Sequence, residues 1–244
     1  MPAHIGAAMG GIPFHPEDIS WHSLIWADGT EFQAEGYAHN DSLDTCPDEF
    51  GSASDDGKVF AMSSYSQFRT GQTVFNNEPY MSFRTFCRSV RTGDWVKADT
   101  TSTYTVVIVC WPDDWDIEHQ TLFQDQTNPA RFKIHTYPTV TNTWRINNTW
   151  AYLTPVHDGV NALCLKFVAG GATGQDVVSI NGVTSNTTEF GAYTLKSMEF
   201  GGNDIYAEFR GGIAFVGVYN GDLRADPDFS KLSAWCEATY GEPL

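Results

Sequence analysis

Asp114, Asp116 and Glu118 place three carboxylates at alternate positions of one short segment, Asp114-Trp115-Asp116-Ile117-Glu118. If that segment were a strand, side chains two residues apart would share a face and the three acids would stand together. Two such groups flanking a glycosidic bond can serve as nucleophile and general acid. The local sequence argues against this use. Pro112-Asp113 closes the apolar run just upstream, so a loop is expected where the trio falls. Hydrolysis would also require a structured sugar cleft around the acids. The expectation is a non-enzymatic protein, with glycoside hydrolysis by Asp114, Asp116 and Glu118 as an alternative.

Other side chains suggest binding rather than catalysis. Asp55-Asp56-Gly57, Asp113-Asp114 and Asp226-Pro227-Asp228 offer oxygen ligands, and calcium takes six to eight of them, often from separate loops. Asp55, Asp113 and Asp228 are the candidate ligands; no EF-hand spacing is present, and solvated turn acids explain the same residues. No cofactor is expected beyond this calcium candidate. Trp111, Trp115, Trp144 and Trp150 lie near polar residues, so an exposed indole could stack on a pyranose while Asn148 binds hydroxyls. Trp115 and Trp150 are the loop-like members of the set, and Trp144 reads as core. The histidines show no metal spacing. Gly170-Gly171-Ala172-Thr173-Gly174 is not followed by a helical pattern and is a turn, not a phosphate loop.

The charge balance narrows the partners. Fourteen Lys and Arg against thirty Asp and Glu give a net charge of −16, which disfavours nucleic acid and anionic membranes. Residues 1–57 hold eleven acidic residues and no Lys or Arg, whereas Arg69, Arg84, Arg88, Arg91 and Lys97 cluster downstream. Either both stretches are simply solvated, or the acidic one lies on the basic one, within the chain or between subunits. Five widely spaced cysteines suggest neither a disulfide framework nor a zinc site. Cys110 and Cys164 fall in strand-like runs and read as small core residues. The N-terminus lacks the basic and apolar regions of a signal peptide, so synthesis in a reducing cytoplasm is expected.

These side chains need a scaffold, and the periodicity is that of strands. Thr103–Trp111 is apolar on both faces and should be covered on both sides. Residues 131–135, 143–147, 163–167 and 213–219 alternate, and Asn181-Gly182 marks a two-residue hairpin. One helix is expected over residues 227–240, capped by Asp226, started by Pro227 and stopped by Gly241. Residues 1–20 read as an arm, with Ile12, Phe14 and Ile19 as apolar anchors for attachment. Residues 21–244 read as one all-β domain, with irregular wrapping loops over 28–77.

The order of these blocks resembles a known architecture. Leu43–Glu49 stands where a Trp-Pro-Asp turn is usual, with Cys46 in place of the Trp. Glu78–Phe83, Tyr104–Val109, Val178–Gly182 and Phe209–Leu223 follow in the order of the family's strands, and Trp235, Tyr240 and Gly241 mark its closing helix. The chain resembles the concanavalin A-like, or laminin G-like, jelly-roll β-sandwiches found among tailed-phage structural proteins. The resemblance implies a jelly-roll sandwich with a short C-terminal helix and an extended N-terminal arm. It further implies a virion component, either a minor tail protein or a capsid decoration protein. Its partners would be other virion proteins and copies of itself, a trimer being the guess, and it could adhere to host-surface glycans. A carbohydrate-binding, lectin-like module is the alternative. Jelly-roll glucanases carry a Glu-x-Asp-x-Glu strand; here Asp114 replaces the first Glu and is one methylene shorter.

Overall fold

β-Branched and aromatic residues at period two suit a pleated, half-buried surface, and the chain uses them for two sheets. The computed structural model describes residues 14, 16, 19, 23–28, 36–41, 45–46, 60–61, 67–71, 73–83, 90–91, 103–113, 120–125, 133–137, 143–146, 151–153, 159–168, 177–186, 198–200 and 209–244. Among them the strands are β1 (Ser23–Asp28), β2 (Thr45–Cys46), β3 (Phe60–Ala61), β4 (Gln67–Arg69), β5 (Tyr80–Phe83), β6 (Val90–Arg91), β7 (Thr103–Pro112) and β8 (Thr121–Asp125). They continue as β9 (Lys133–Tyr137), β10 (Thr143–Ile146), β11 (Ala151–Leu153), β12 (Asn161–Val168), β13 (Val177–Ile180), β14 (Val183–Asn186), β15 (Met198–Phe200) and β16 (Gly211–Asn220). Helix α1 spans Phe229–Tyr240.

One sheet runs β14-β13-β12-β7-β16-β5-β4, with β1 also paired to β16. The other runs β11-β10-β9-β8-β15-β6-β3-β2. Neighbours such as β12 and β7 or β8 and β9 are far apart or adjacent in sequence, yet every pairing is antiparallel. The architecture is a jelly-roll β-sandwich with one short C-terminal helix, as expected.

β7 sits between β12 and β16, and Val106 to Cys110 are fully buried. Alternation sends Val107 and Val109 into a cluster with Leu232, Cys236 and Tyr240 of α1. Val106, Ile108 and Cys110 point the other way, between the sheets. The strand is therefore covered on both faces, by the second sheet and by α1. Cys164 and Cys236 belong to the helix-side cluster, which bears out the reading of Cys164 as a core residue. Burial pushes the Cys164 thiol up to about 12, against a smaller opposing pull from Arg224.

The same cluster holds Tyr219, fully buried, whose hydroxyl has no hydrogen-bond partner among the described residues. Burial drives its pKa well up, and Cys236 and Cys164 push in the same direction. The ring lies back along β16, so that a Cβ on Gly217 would stand 2.8 Å from the Tyr219 hydroxyl. A buried hydroxyl without a partner carries its full desolvation cost. Tyr219→Phe keeps the ring and removes that cost. It is expected to raise unfolding stability by about 1 kcal/mol in urea titration.

Three local expectations change. Residues 28–77 contain β2, β3, β4 and a 3-10 turn at Thr73–Phe75, not wrapping loops alone. Strands of two or three residues are too short for alternation to register in sequence. The helix begins at Phe229, with Asp228 as its capping position and no side-chain cap bond there. Asp226 instead closes the preceding turn, its Oδ1 accepting from the Asp228 N–H at 2.7 Å. Gly241 ends the helix at φ 92°, as expected of a left-handed cap. Finally, Ile19 is 5 % exposed within the helix-side core, and Phe14 packs against that core. Ile19 is thus part of this chain's own core, while Phe14 is half-buried against it. Ile12 lies outside the described residues.

Candidate functional site

Two described surfaces combine exposed polar groups with an aromatic ring. The first is the rim where β7 and β16 of one sheet meet β8 of the other. Pro112 has no N–H to continue a ladder, and the chain leaves the sheet at Asp113. The Asp113 N–H donates to the Arg210 carbonyl at 2.9 Å, and the Arg210 N–H donates to Gln120 Oε1 at 2.8 Å. Gln120 is fully buried, so one amide side chain ties the start of β8 to the start of β16. Trp111 faces Gly212 across the ladder. A Cβ on Gly212 would lie 2.6 Å from the Tyr80 ring and 2.8 Å from that of Phe75, so aromatic rings occupy its side-chain space. Trp111 is half-buried against this aromatic group, while Asp113 is exposed.

The second surface is a turn on the outer edge of β4. The Asp41 N–H donates to the Ala38 carbonyl at 2.9 Å, and Asp41 Oδ2 accepts from the Ala38 N–H at 2.7 Å. His39 and Asn40 are the central residues, and Asn40 has φ 75°, a conformation its short amide tolerates. Phe68 of β4 holds the turn by both backbone groups: its carbonyl accepts from Asn40 at 2.8 Å and its N–H donates to Asp41 at 2.9 Å. His39 Nδ1 accepts from the Thr70 N–H at 3.1 Å. Tyr37 packs on Phe68 with ring centroids 6.4 Å apart, and beside them Arg69 donates to Gln67 Oε1 at 2.7 Å. His39, Asn40 and Asp41 are exposed and Tyr37 is half-buried.

The residues singled out from sequence are distributed unevenly over these surfaces. Asp113 stands at the rim, and the segment Asp114–Glu118 joins β7 to β8 directly after it. Asp114, Trp115, Asp116, Glu118, Asn148, Trp150 and Asp55 lie outside the described residues. Trp144 is fully buried and serves the core, its Nε1 donating to Asn161 Oδ1 at 3.3 Å. Asp228 pairs with Lys231 Nζ at 2.7 Å beside α1. It follows the turn that Thr105 Oγ1 fastens by accepting from the Leu223 N–H at 3.0 Å. Thr105 and Asp113 are about 26 Å apart along β7 at the usual rise per residue. Asp113 and Asp228 are thus at opposite ends of the strand and do not form one calcium site. No group of three or more His, Cys, Asp or Glu among the described residues is arranged to hold a metal. The Tyr37–Asp41 turn was not singled out. Its signal was Gly36 and Asn40-Asp41 as turn residues beside an aromatic and a histidine, in a stretch without periodicity.

No protein-family model matches the sequence, and no curated protein matches it. Solved structures do. Domain 4 of AbnA, a GH43 extracellular arabinanase from Geobacillus stearothermophilus in complex with arabinotriose, aligns with TM-score 0.56 at 16 % identity, over 82 % of this chain and 93 % of that one. The binding domain of botulinum neurotoxin DC in complex with SialylT aligns with TM-score 0.60 at 11 % identity, over 91 % of this chain. The same toxin domain in complex with rat synaptotagmin II aligns with TM-score 0.55 at 12 % identity. This chain spans 55 % of each of those two toxin chains. At such identities the likeness establishes the fold alone: this chain is a jelly-roll β-sandwich.

Proposed function

We propose that this protein is a carbohydrate-binding, lectin-like module that recognises its ligand without transforming it. The observation that carries this reading is the alignment, over most of the chain, with two domains whose structures are described as complexes with arabinotriose and with SialylT. Fold alone does not dictate function, so the surfaces matter. Both the rim and the β4-edge turn set an aromatic side chain beside carboxylate or amide groups, the chemistry by which proteins hold sugars. The neighbours lend support to this reading and none to display on a virion, which rests on the sequence motifs alone. The toxin binding domain is also described in complex with rat synaptotagmin II, so a protein ligand is the second reading.

A glycan array probed with the purified full chain, with and without calcium, tests the proposal. Binding to at least one glycan series is expected, with dissociation constants of about 1 µM to 1 mM. Multivalent display on the array raises weak sites into view. Silence on all surfaces would remove the carbohydrate reading.

A further inference from the structure

We infer that the Tyr37–Asp41 turn on the β4 edge is the sugar-contacting surface, and that its ligand is a neutral, hydroxyl-rich saccharide. The inference rests on the carbohydrate-binding reading and gives it a site and a ligand class.

The turn is held in place before any ligand arrives. Its two backbone bonds to Phe68, its own Ala38–Asp41 closure and the His39–Thr70 bond fix every residue from 38 to 41. Binding there orders little chain, which is what lets a small ligand bind with useful affinity. These bonds also occupy both polar groups of Phe68, so the β4 edge at that point is not open to strand addition by a peptide.

The exposed groups have complementary roles. Because His39 Nδ1 accepts from the Thr70 N–H, the neutral ring carries its proton on Nε2, which becomes a donor. Asp41 uses Oδ2 on the Ala38 N–H, and no described residue satisfies Oδ1, which is an acceptor. The Asn40 side chain supplies both a donor and an acceptor. Paired donors and acceptors of this kind match the vicinal hydroxyls of a sugar ring. Tyr37 supplies the apolar part. Phe68, fully buried, backs its ring, and the remaining exposed surface can meet the C–H face of a pyranose or furanose.

Charge selects among saccharides. The turn itself presents the exposed carboxylate of Asp41, on a chain of net charge −16. The nearby Arg69 guanidinium is engaged by Gln67 Oε1. A carboxylated sugar would be repelled by this field, and a neutral one would not.

The test titrates the full chain with a panel of neutral oligosaccharides that includes arabinotriose, alongside sialylated oligosaccharides of similar length. Neutral sugars are expected to bind more tightly than sialylated ones. Tyr37→Ala is expected to weaken binding by about tenfold. Tyr37→Phe should retain near wild-type affinity, and Val183→Ser on the far edge should be without effect. If Tyr37→Ala unfolds, amide shifts of the wild-type protein decide: changes on titration at Ala38, His39 and Asn40 support the site. Loss of binding in Trp111→Ala with binding kept in Tyr37→Ala, or shift changes confined to the rim, would overturn the inference and leave the carbohydrate reading standing. Tighter binding of the sialylated sugars would overturn the ligand class. Absence of binding to any saccharide would overturn both readings together.

Discussion

Gly211→Ala is expected to destabilise the protein by about 3 kcal/mol or more, through combined backbone strain and overlap. Gly211 opens β16 at φ 151°, a conformation L side chains rarely adopt. A Cβ there would overlap the carbonyl oxygen of Trp111 and stand 2.9 Å from the Trp111 carbonyl carbon and 3.1 Å from the Asp113 N. All three are backbone atoms at the end of β7 or just beyond it, so no side-chain rotation relieves the contact. The strands would have to part at the rim, where Arg210 is bonded to both Asp113 and Gln120. Two other glycines separate strain from overlap. Gly71 has φ 69° with nothing within 4 Å of its Cβ position, so Gly71→Ala should cost about 1 kcal/mol from backbone strain alone. Gly159 has open space and no left-handed backbone, so Gly159→Ala should be neutral or stabilising by about 0.5 kcal/mol. Denaturant titrations of the three variants, compared at constant m, measure the order. A Gly211→Ala protein no less stable than Gly71→Ala would refute the close approach of β16 to β7.

Trp144→Ala is expected to cost about 3–5 kcal/mol, the range for emptying a fully buried aromatic site. Trp144 belongs to β10 in one sheet, and its indole N–H donates to Asn161 of β12 in the other. Its ring lies 6.4 Å from that of Phe209, which in turn lies 6.2 Å from that of Phe83 on β5. The residue therefore joins the two sheets by packing and by a hydrogen bond at once. Trp144→Phe keeps most of the packing and removes the bond. It should lose about 1–2 kcal/mol, partly from the smaller ring and partly from the donor lost to Asn161. Thermal and urea unfolding of both variants separates the contributions. If Trp144→Ala shifted stability by less than about 1 kcal/mol, Trp144 would not be a core residue. It would return to the exposed sugar platform from which its burial removes it.

The limits of the sequence reading follow from the range of the interactions involved. Thr103–Trp111 was legible because a nine-residue run that is largely apolar at both parities has only one comfortable home, a strand covered on both faces. The Asn181-Gly182 hairpin was legible because its φ values of 48° and 73° are a property of the two residues themselves. Capping of α1 was legible in kind but displaced: Asp226 does bond the Asp228 N–H, one turn earlier than a regular helix begins. The packing of Phe14 and Ile19 was not legible, because they are isolated apolar residues in a Gly- and Pro-rich stretch. Only the folded chain shows that the helix-side core takes them in.

By itself the sequence determined what is local: the strong strands, the hairpin, the closing helix, the core cysteines and the acidic balance. Each depends on side-chain period, turn chemistry or composition, which neighbouring residues set among themselves. The tertiary structure decided what is assembled from distant parts. His39 meets Thr70 across 31 positions, and Trp144 meets Asn161 across 17. Gly211 must be glycine because of a carbonyl one hundred residues earlier in the chain. The β4-edge turn carries no periodic signal, since its place on the sheet comes from the backbone of Phe68 and Thr70, beyond the local closure by Ala38 and Asp41. A surface of this kind exists only after the sheet that supports it has formed.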